Sequence, residues 1–252
     1  MPLLLLAALV GLWELLVRAF QTPRWLLPPP SAIGHEIVAS SALLARHALV
    51  TTEEVAAGFA VALATGVGLA LAIAYWRVAA RAIYPLVIAS QTIPIIAIAP
   101  LLLVWVGYDL RPKVIVVALI SFFPIVVNMV DGLRAVDPEM VNMLRSLGAS
   151  RWQVFRKVQV PGSLPYLFSG IKIAAAVSVI GAVIGEWVGA SAGLGYLMVQ
   201  AAPRFQTSLV FASVLVLSAL GIALFLLVAG AERLSLRWHH SAKRAKALDL
   251  NP

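Results

Sequence analysis

AVDPEMVNMLRSLGASRWQVFRKVQVPGSLP, residues 135–165, is a polar, basic interruption in a chain otherwise apolar enough for a lipid bilayer. It carries start and stop signals for two short helices. Asp137 suits an N-cap, and Pro138 suits the first helical position, where a missing N–H costs nothing. Met140, Met143, Leu144 and Leu147 recur at three- and four-residue spacing, and Gly148 is placed to end the first helix in a left-handed conformation. Ser150 with Gln153 makes an S-x-x-Q capping box for a second helix. Pro161, Gly162 and Pro165 are expected to end it before the next apolar run. The pattern predicts a helix, a glycine corner and a second helix exposing Arg151, Trp152, Phe155, Arg156 and Lys157. One reading is an interfacial loop with Trp152 at the level of lipid headgroups. The other is a docking knob, whose aromatic and arginine anchors are the types enriched at the centres of protein interfaces. The spacing favours the knob.

Around this segment, 62% of the 252 residues are hydrophobic and 12% charged, against roughly half and a quarter in a soluble domain. A bilayer core is crossed by about 20 apolar residues in a helix, and no strand alternation of the barrel kind occurs. The chain therefore reads as an all-α membrane protein with six spans near 3–20, 55–76, 83–107, 113–134, 167–188 and 208–230. The net charge of +8 could point to nucleic acid, but the bases fall in loops between spans. Thirteen of the nineteen lie in the 77–82 turn, the 134–172 segment and the tail. The positive-inside rule then places both termini in the cytoplasm of a cell or inner membrane, although Arg18 and Arg24 after the first span locally favour the reverse. Without cysteine there is no disulfide or thiolate chemistry.

Between the first two spans, LLPPPSAIGHEIVASSALLARHALVTTEE is too polar to span. Three prolines stop the chain, Ser31 is placed to cap a new helix, and an amphipathic helix along the outer face is expected. The organisation is a first helix with this outer helix at 1–54, a membrane domain at 55–232 containing the 137–165 loop, and a basic cytoplasmic tail at 233–252.

The segment resembles the signature loop of the permease subunits of ATP-binding-cassette importers, which reads Glu-Ala-Ala, three residues, Gly, nine residues, Ile, one residue, Leu-Pro. Anchored on Gly148, the pattern lands on Val158, Val160 and Pro161, while Asn142-Met143-Leu144 stands where the family has Glu-Ala-Ala. The similarity extends through LLPPPSAIG, PLLLVWVGYDLRPKVIVVALISFFPIVVN and GAVIGEWVGASAGLGYLM. It is greatest to the permeases for taurine, sulfonates, nitrate or thiamin pyrimidine precursors, with a lean toward the pyrimidine and riboflavin members. The resemblance implies a type I importer permease fold and a cytoplasmic coupling helix. It assigns docking to Asn142, Arg145, Leu147, Gly148, Ala149, Ser150, Arg151, Trp152, Phe155 and Pro161. It also implies a separate ATPase carrying ATP and magnesium, an extracytoplasmic solute-binding protein, and a second copy of this chain. The junction through Pro161 and Pro165 would transmit ATPase closure to the fifth span.

Polar residues inside spans mark where protein or water replaces lipid. Glu186 lies one position from the stripe Gly181, Gly185 and Gly189, which invites close helix packing. It either faces the solute pathway or ends the span near the headgroups. Pro85, Pro94 and Pro100, with Ser90, Gln91 and Thr92, interrupt the third span. That predicts a bend, with Gln91 and Thr92 on the pathway or in a kinked packing helix. Asn128 bonds another helix or lines the pathway. Ala62, Gly66, Ala70 and Ala74 form a second packing stripe, and Glu14 is placed to pair with Arg18.

No G-x-x-x-x-G-K-[ST] loop is present to hold ATP, and no H-E-x-x-H helix to hold zinc. His239 and His240 lack a second ligand pair, so no metal, no cofactor and no catalytic residue is expected on this chain. An ion-gradient transporter would use Glu186 but needs paired coordinating residues and usually an inverted repeat. The permease reading leads.

Overall fold

The computed structural model describes residues 1–236, the side chains of Pro2 and Leu3 excepted. Its elements are α1 Pro2–Ala19, α2 Pro30–Ala39, α3 Ser41–Tyr75, α4 Arg77–Ser90, α5 Ile95–Val106, α6 Leu110–Arg134, α7 Pro138–Ser146, α8 Arg151–Val154, α9 Val160–Gly189, α10 Leu194–Ala201 and α11 Thr207–Ser235. Four stretches are long and apolar enough to cross a membrane, namely α3, α6, the α8–α9 rod and α11, and the bent pair α4–α5 makes a fifth. The 18-residue helix α1 occupies the first expected span. Most of the basic tail, with His239 and His240, lies outside the described residues.

Helix α6 forms the centre, held between α3 and α9 by small residues on both. A Cβ added at Gly58 of α3 would lie 2.4 Å from Val117 of α6, and one at Gly181 of α9 would lie 2.9 Å from the same residue's Cα. Ile125 is likewise met by Gly66 from α3 and by Gly170 from α9. Of the expected stripes, Gly66 on α3 and Gly181 and Gly185 on α9 thus pack on α6, whereas Gly189 packs on Leu103 of α5. Where lipid tails are as apolar as the side chains, close van der Waals contact is what holds helices together.

Four expectations change. The outer amphipathic helix is the ten-residue α2 alone, and α3 starts at Ser41 instead of near residue 55. Its buried positions Leu44, His47, Thr51, Glu54, Gly58, Ala62, Gly66, Ala70 and Ile73 continue one helical face. The polar residues at the start of that face bond within the protein, so nothing forces a break. Ser31 does not cap α2, which begins after Pro29 without a side-chain cap. Instead its N–H and its hydroxyl donate to the Glu14 carboxylate at 3.0 and 2.8 Å, which also accepts Arg18 at 2.7 Å as expected.

In the third span only Pro94 breaks the helix. Pro85 and Pro100 lie inside α4 and α5, while the two helices meet at 100° across residues 91–94. At the break, the hydroxyls of Ser90 and Thr92 donate to the carbonyls of Val87 and Ala89 at 2.7 Å, satisfying acceptors that the lost turn frees.

The fourth change concerns Pro161, Gly162 and Pro165, which do not end the second loop helix. α8 passes through a π turn at Phe155–Gln159 into α9, giving one rod of 39 residues from Arg151 to Gly189. Proline lacks an N–H and its ring crowds the preceding turn. The widened turn, with Val160 N–H donating to the Phe155 carbonyl, makes room for Pro161.

Candidate functional site

The loop end of the bundle is built as its residues dictate. Asp137 caps α7 by accepting the Glu139 N–H at 2.8 Å. Ala149 N–H donates to Leu144 and Gly148 N–H to Arg145, the paired bonds of a Schellman ending, with Gly148 at φ +83°. Ser150 accepts the Gln153 N–H while Gln153 accepts the Ser150 N–H, completing the capping box. No residue of α7 is buried.

What this corner presents is an apolar patch. Met140, Met143, Leu147 and Trp152 are exposed, Leu147 at 76%. Asn142 and Arg145 are exposed on α7 and Ser150 and Arg151 beside the corner, with Ala149 half-buried. Pro161 stands half-buried at the rod. Phe155 is a correction, since it is buried. It meets Tyr75 at 5.2 Å and Trp152 at 5.9 Å between ring centroids, so it anchors the corner to the end of α3. The helix from Arg151 turns Val154 and Phe155 inward and leaves Trp152, Arg156 and Lys157 outward. Arg151 lies over the Tyr75 ring at 5.0 Å and donates to the Tyr75 carbonyl.

The four residues expected along a pathway do not come together as one group. Gln91 and Thr92 are exposed at the α4–α5 break. Asn128 is half-buried and donates to the Pro124 carbonyl of its own helix at 2.8 Å, not to another helix.

Glu186 is 1% exposed, in the last turn of α9. Helix α10 begins beside it, and the first four N–H groups of a helix have no partner within it. Here all four find side chains. Gly193 N–H donates to His47 Nδ1 at 3.0 Å and Leu194 N–H to Thr51 Oγ1 at 2.9 Å, while Gly195 and Tyr196 N–H donate to Glu186 Oε2. The Thr51 hydroxyl donates to Glu186 Oε1 at 2.6 Å. A carboxylate there also complements the positive end of the helix dipole.

Sequence reasoning missed His47, Thr51 and the buried pair of Glu54 with Lys113, whose Nζ–Oε1 distance is 2.7 Å. Their spacing of three and four along α3 was the available signal. GASAG at 189–193 has the G-x-S-x-G spacing of a hydrolase elbow. It joins two helices instead of a strand and a helix, and Ser191 is exposed with no histidine bonded to it among the described residues.

The family described as the binding-protein-dependent transport system inner membrane component matches residues 63–236. The chain belongs to this family. It is the permease subunit of an ATP-binding-cassette importer, and nothing favours the ion-gradient alternative. Among its relatives, the formylaminopyrimidine transport permease protein ThiX of Halalkalibacterium halodurans is 37% identical over 94% of this chain and 95% of that protein. The riboflavin transport system permease protein RibX of Chloroflexus aurantiacus is 37% identical over 96% and 90%. An inward-facing structure of the MetNI methionine transporter shares the permease fold, with TM-score 0.68 and 20% identity over 77% of this chain and 97% of that one. The permease subunit thus has the type I importer architecture, and its family is one of membrane subunits whose ATPase is a separate protein.

Proposed function

We propose that the corner at residues 138–154 is where this permease docks its ATPase. The supporting observation is the uncovered set of Met140, Met143, Leu147 and Trp152 on a corner rigidly capped at both turns. Asn142, Arg145, Ala149, Ser150 and Arg151 rim it, and Asn142 replaces the family's glutamate, so this docking face offers one carboxylate fewer to its partner. ATP and magnesium belong to that partner, no catalytic step falls on this chain, and both termini lie on the docking side, in the cytoplasm.

The rod from Arg151 to Gly189 supplies the transmission, replacing the expected proline junction. At about 1.5 Å per residue it is roughly 58 Å long, so a tilt imposed at Trp152 reaches the opposite membrane face directly. Two copies of the chain enclose the pathway, with Gln91, Thr92 and Asn128 as its polar wall, and alternate between inward- and outward-open states biased by nucleotide and by the loaded binding protein. The solute is a small heteroaromatic of the formylaminopyrimidine or riboflavin class, by the functions of the two relatives and their similarity over nearly the whole chain.

Because the chain has no cysteine, Leu147→Cys gives a single attachment point for a crosslinker. Crosslinking to a co-expressed ATPase in membranes, blocked by Met143→Asp, is the expected result. Labelling by lipid-soluble reagents with no ATPase adduct would instead make the corner a membrane-interface loop.

A further inference from the structure

The end of the bundle opposite the docking corner holds a cavity of about 800 Å³ between α2, the start of α3 and the turn joining α10 to α11. Two guanidiniums, Arg24 and Arg204, and one carboxylate, Glu36, line it. Among the described residues neither arginine meets a carboxylate, and Arg204 has only the Gln200 amide oxygen at 3.5 Å. Glu36 accepts the Ser40 hydroxyl on one oxygen at 2.6 Å and keeps the other. Arg24 also lines a second cavity of about 740 Å³ against the end of α1.

The backbone marks the same place. The two non-glycine residues with positive φ among the described residues are Gln21 at +50° and Phe205 at +57°, and each lines one of these cavities. Each ends a helix with the paired bonds of a Schellman turn, Thr22 N–H to Val17 and Gln206 N–H to Ala201, and so fixes the chain that lines the cavity. The turn at Phe205 sets its ring edge-on to Trp25 at 6.0 Å, and the Thr207 hydroxyl fixes the Trp25 carbonyl. Both rings are exposed. They stand where α1 has just ended and α11 is about to begin, the depth at which aromatic residues meet lipid headgroups.

We propose that this cavity binds the headgroup of a zwitterionic aminophospholipid. The phosphodiester lies between Arg24 and Arg204, whose planar forks match its oxygens. The ammonium lies on Glu36, and the acyl chains descend past Trp25 and Phe205. A headgroup with phosphate alone leaves the Glu36 charge facing an anion. A free oxyanion shares the phosphate chemistry but brings neither ammonium nor chains.

Native mass spectrometry of the purified protein with defined lipids tests this. Phosphatidylethanolamine is expected to be retained about tenfold over phosphatidylglycerol and phosphatidylcholine. Arg24→Gln with Arg204→Gln abolishes retention, and Glu36→Gln removes the ethanolamine preference while leaving phosphate-bearing lipids bound. All three positions are at the surface or half-exposed, and an unchanged melting temperature shows that the variants are folded. Equal retention of the three lipids, or retention unaffected by the arginine pair, overturns the proposal. So does displacement by millimolar inorganic phosphate, which marks a free-anion site. Loss of binding-protein capture in the arginine variant with lipid retention intact overturns it in favour of a protein docking surface.

Discussion

Thr51 and Glu186, 135 positions apart, are joined by a 2.6 Å hydrogen bond in the buried end of the bundle, and between them they receive three of the four free N–H groups that open α10. The bond ties α3 to α9 and both to α10. Its members serve as a binding pocket for the protein's own backbone, so this buried carboxylate is a structural element of the permease.

Replacing Glu186 by Ala strands the buried Gly195 N–H and the half-buried Tyr196 N–H, and leaves the Thr51 hydroxyl only the His47 carbonyl at 3.2 Å. Unsatisfied buried donors cost about 1–3 kcal/mol each, so the melting temperature in detergent falls sharply. Amide hydrogen exchange rises first in residues 193–201. Glu186→Gln keeps an acceptor oxygen and loses less.

Lys113→Met leaves the Glu54 carboxylate buried and unpaired, a change expected to cost about 3–5 kcal/mol. Glu54→Leu combined with Lys113→Met removes both charges and restores most of that loss. A double-mutant cycle on detergent melting measures the coupling, and additive losses would show that the two residues act independently.

Two left-handed glycines separate backbone strain from collision. Gly148 at φ +83° has no atom within 4 Å of an added Cβ, so Gly148→Ala costs about 1 kcal/mol from conformation alone. Gly193 sits at φ +119°, and its Cβ would fall 2.2 Å from the Glu186 carboxyl carbon. Gly193→Ala is expected to be far more damaging, with folded yield on size-exclusion chromatography as the readout.

At the docking corner, Trp152→Ala and Leu147→Asp are expected to leave melting within a few degrees of wild type and to abolish solute-dependent ATP hydrolysis by the assembled transporter in liposomes. Phe155→Ala empties a buried site and costs about 3–5 kcal/mol. If Trp152→Ala and Leu147→Asp preserve full coupling, ATPase docking lies elsewhere on the chain.

Much of this protein is written locally. Apolar runs of membrane length, the Asp137 cap, the Gly148 ending and the Ser150–Gln153 box follow from chain neighbours, so the spans and the two-helix corner are legible in the sequence. Small-residue stripes were legible as packing faces because a stripe needs only one helix to exist. What the sequence left open depends on which helix lies opposite. Phe155 and Trp152 are near neighbours of similar character, and only the position of Tyr75 turns one inward and leaves the other exposed. Pro161 permits either a helix end or a π turn, and packing of the rod on α6 decides for the turn. Glu186, Thr51, His47, Glu54 and Lys113 are scattered over 140 positions, and a buried polar group is stable only beside its partners. Those partners are supplied by tertiary structure alone.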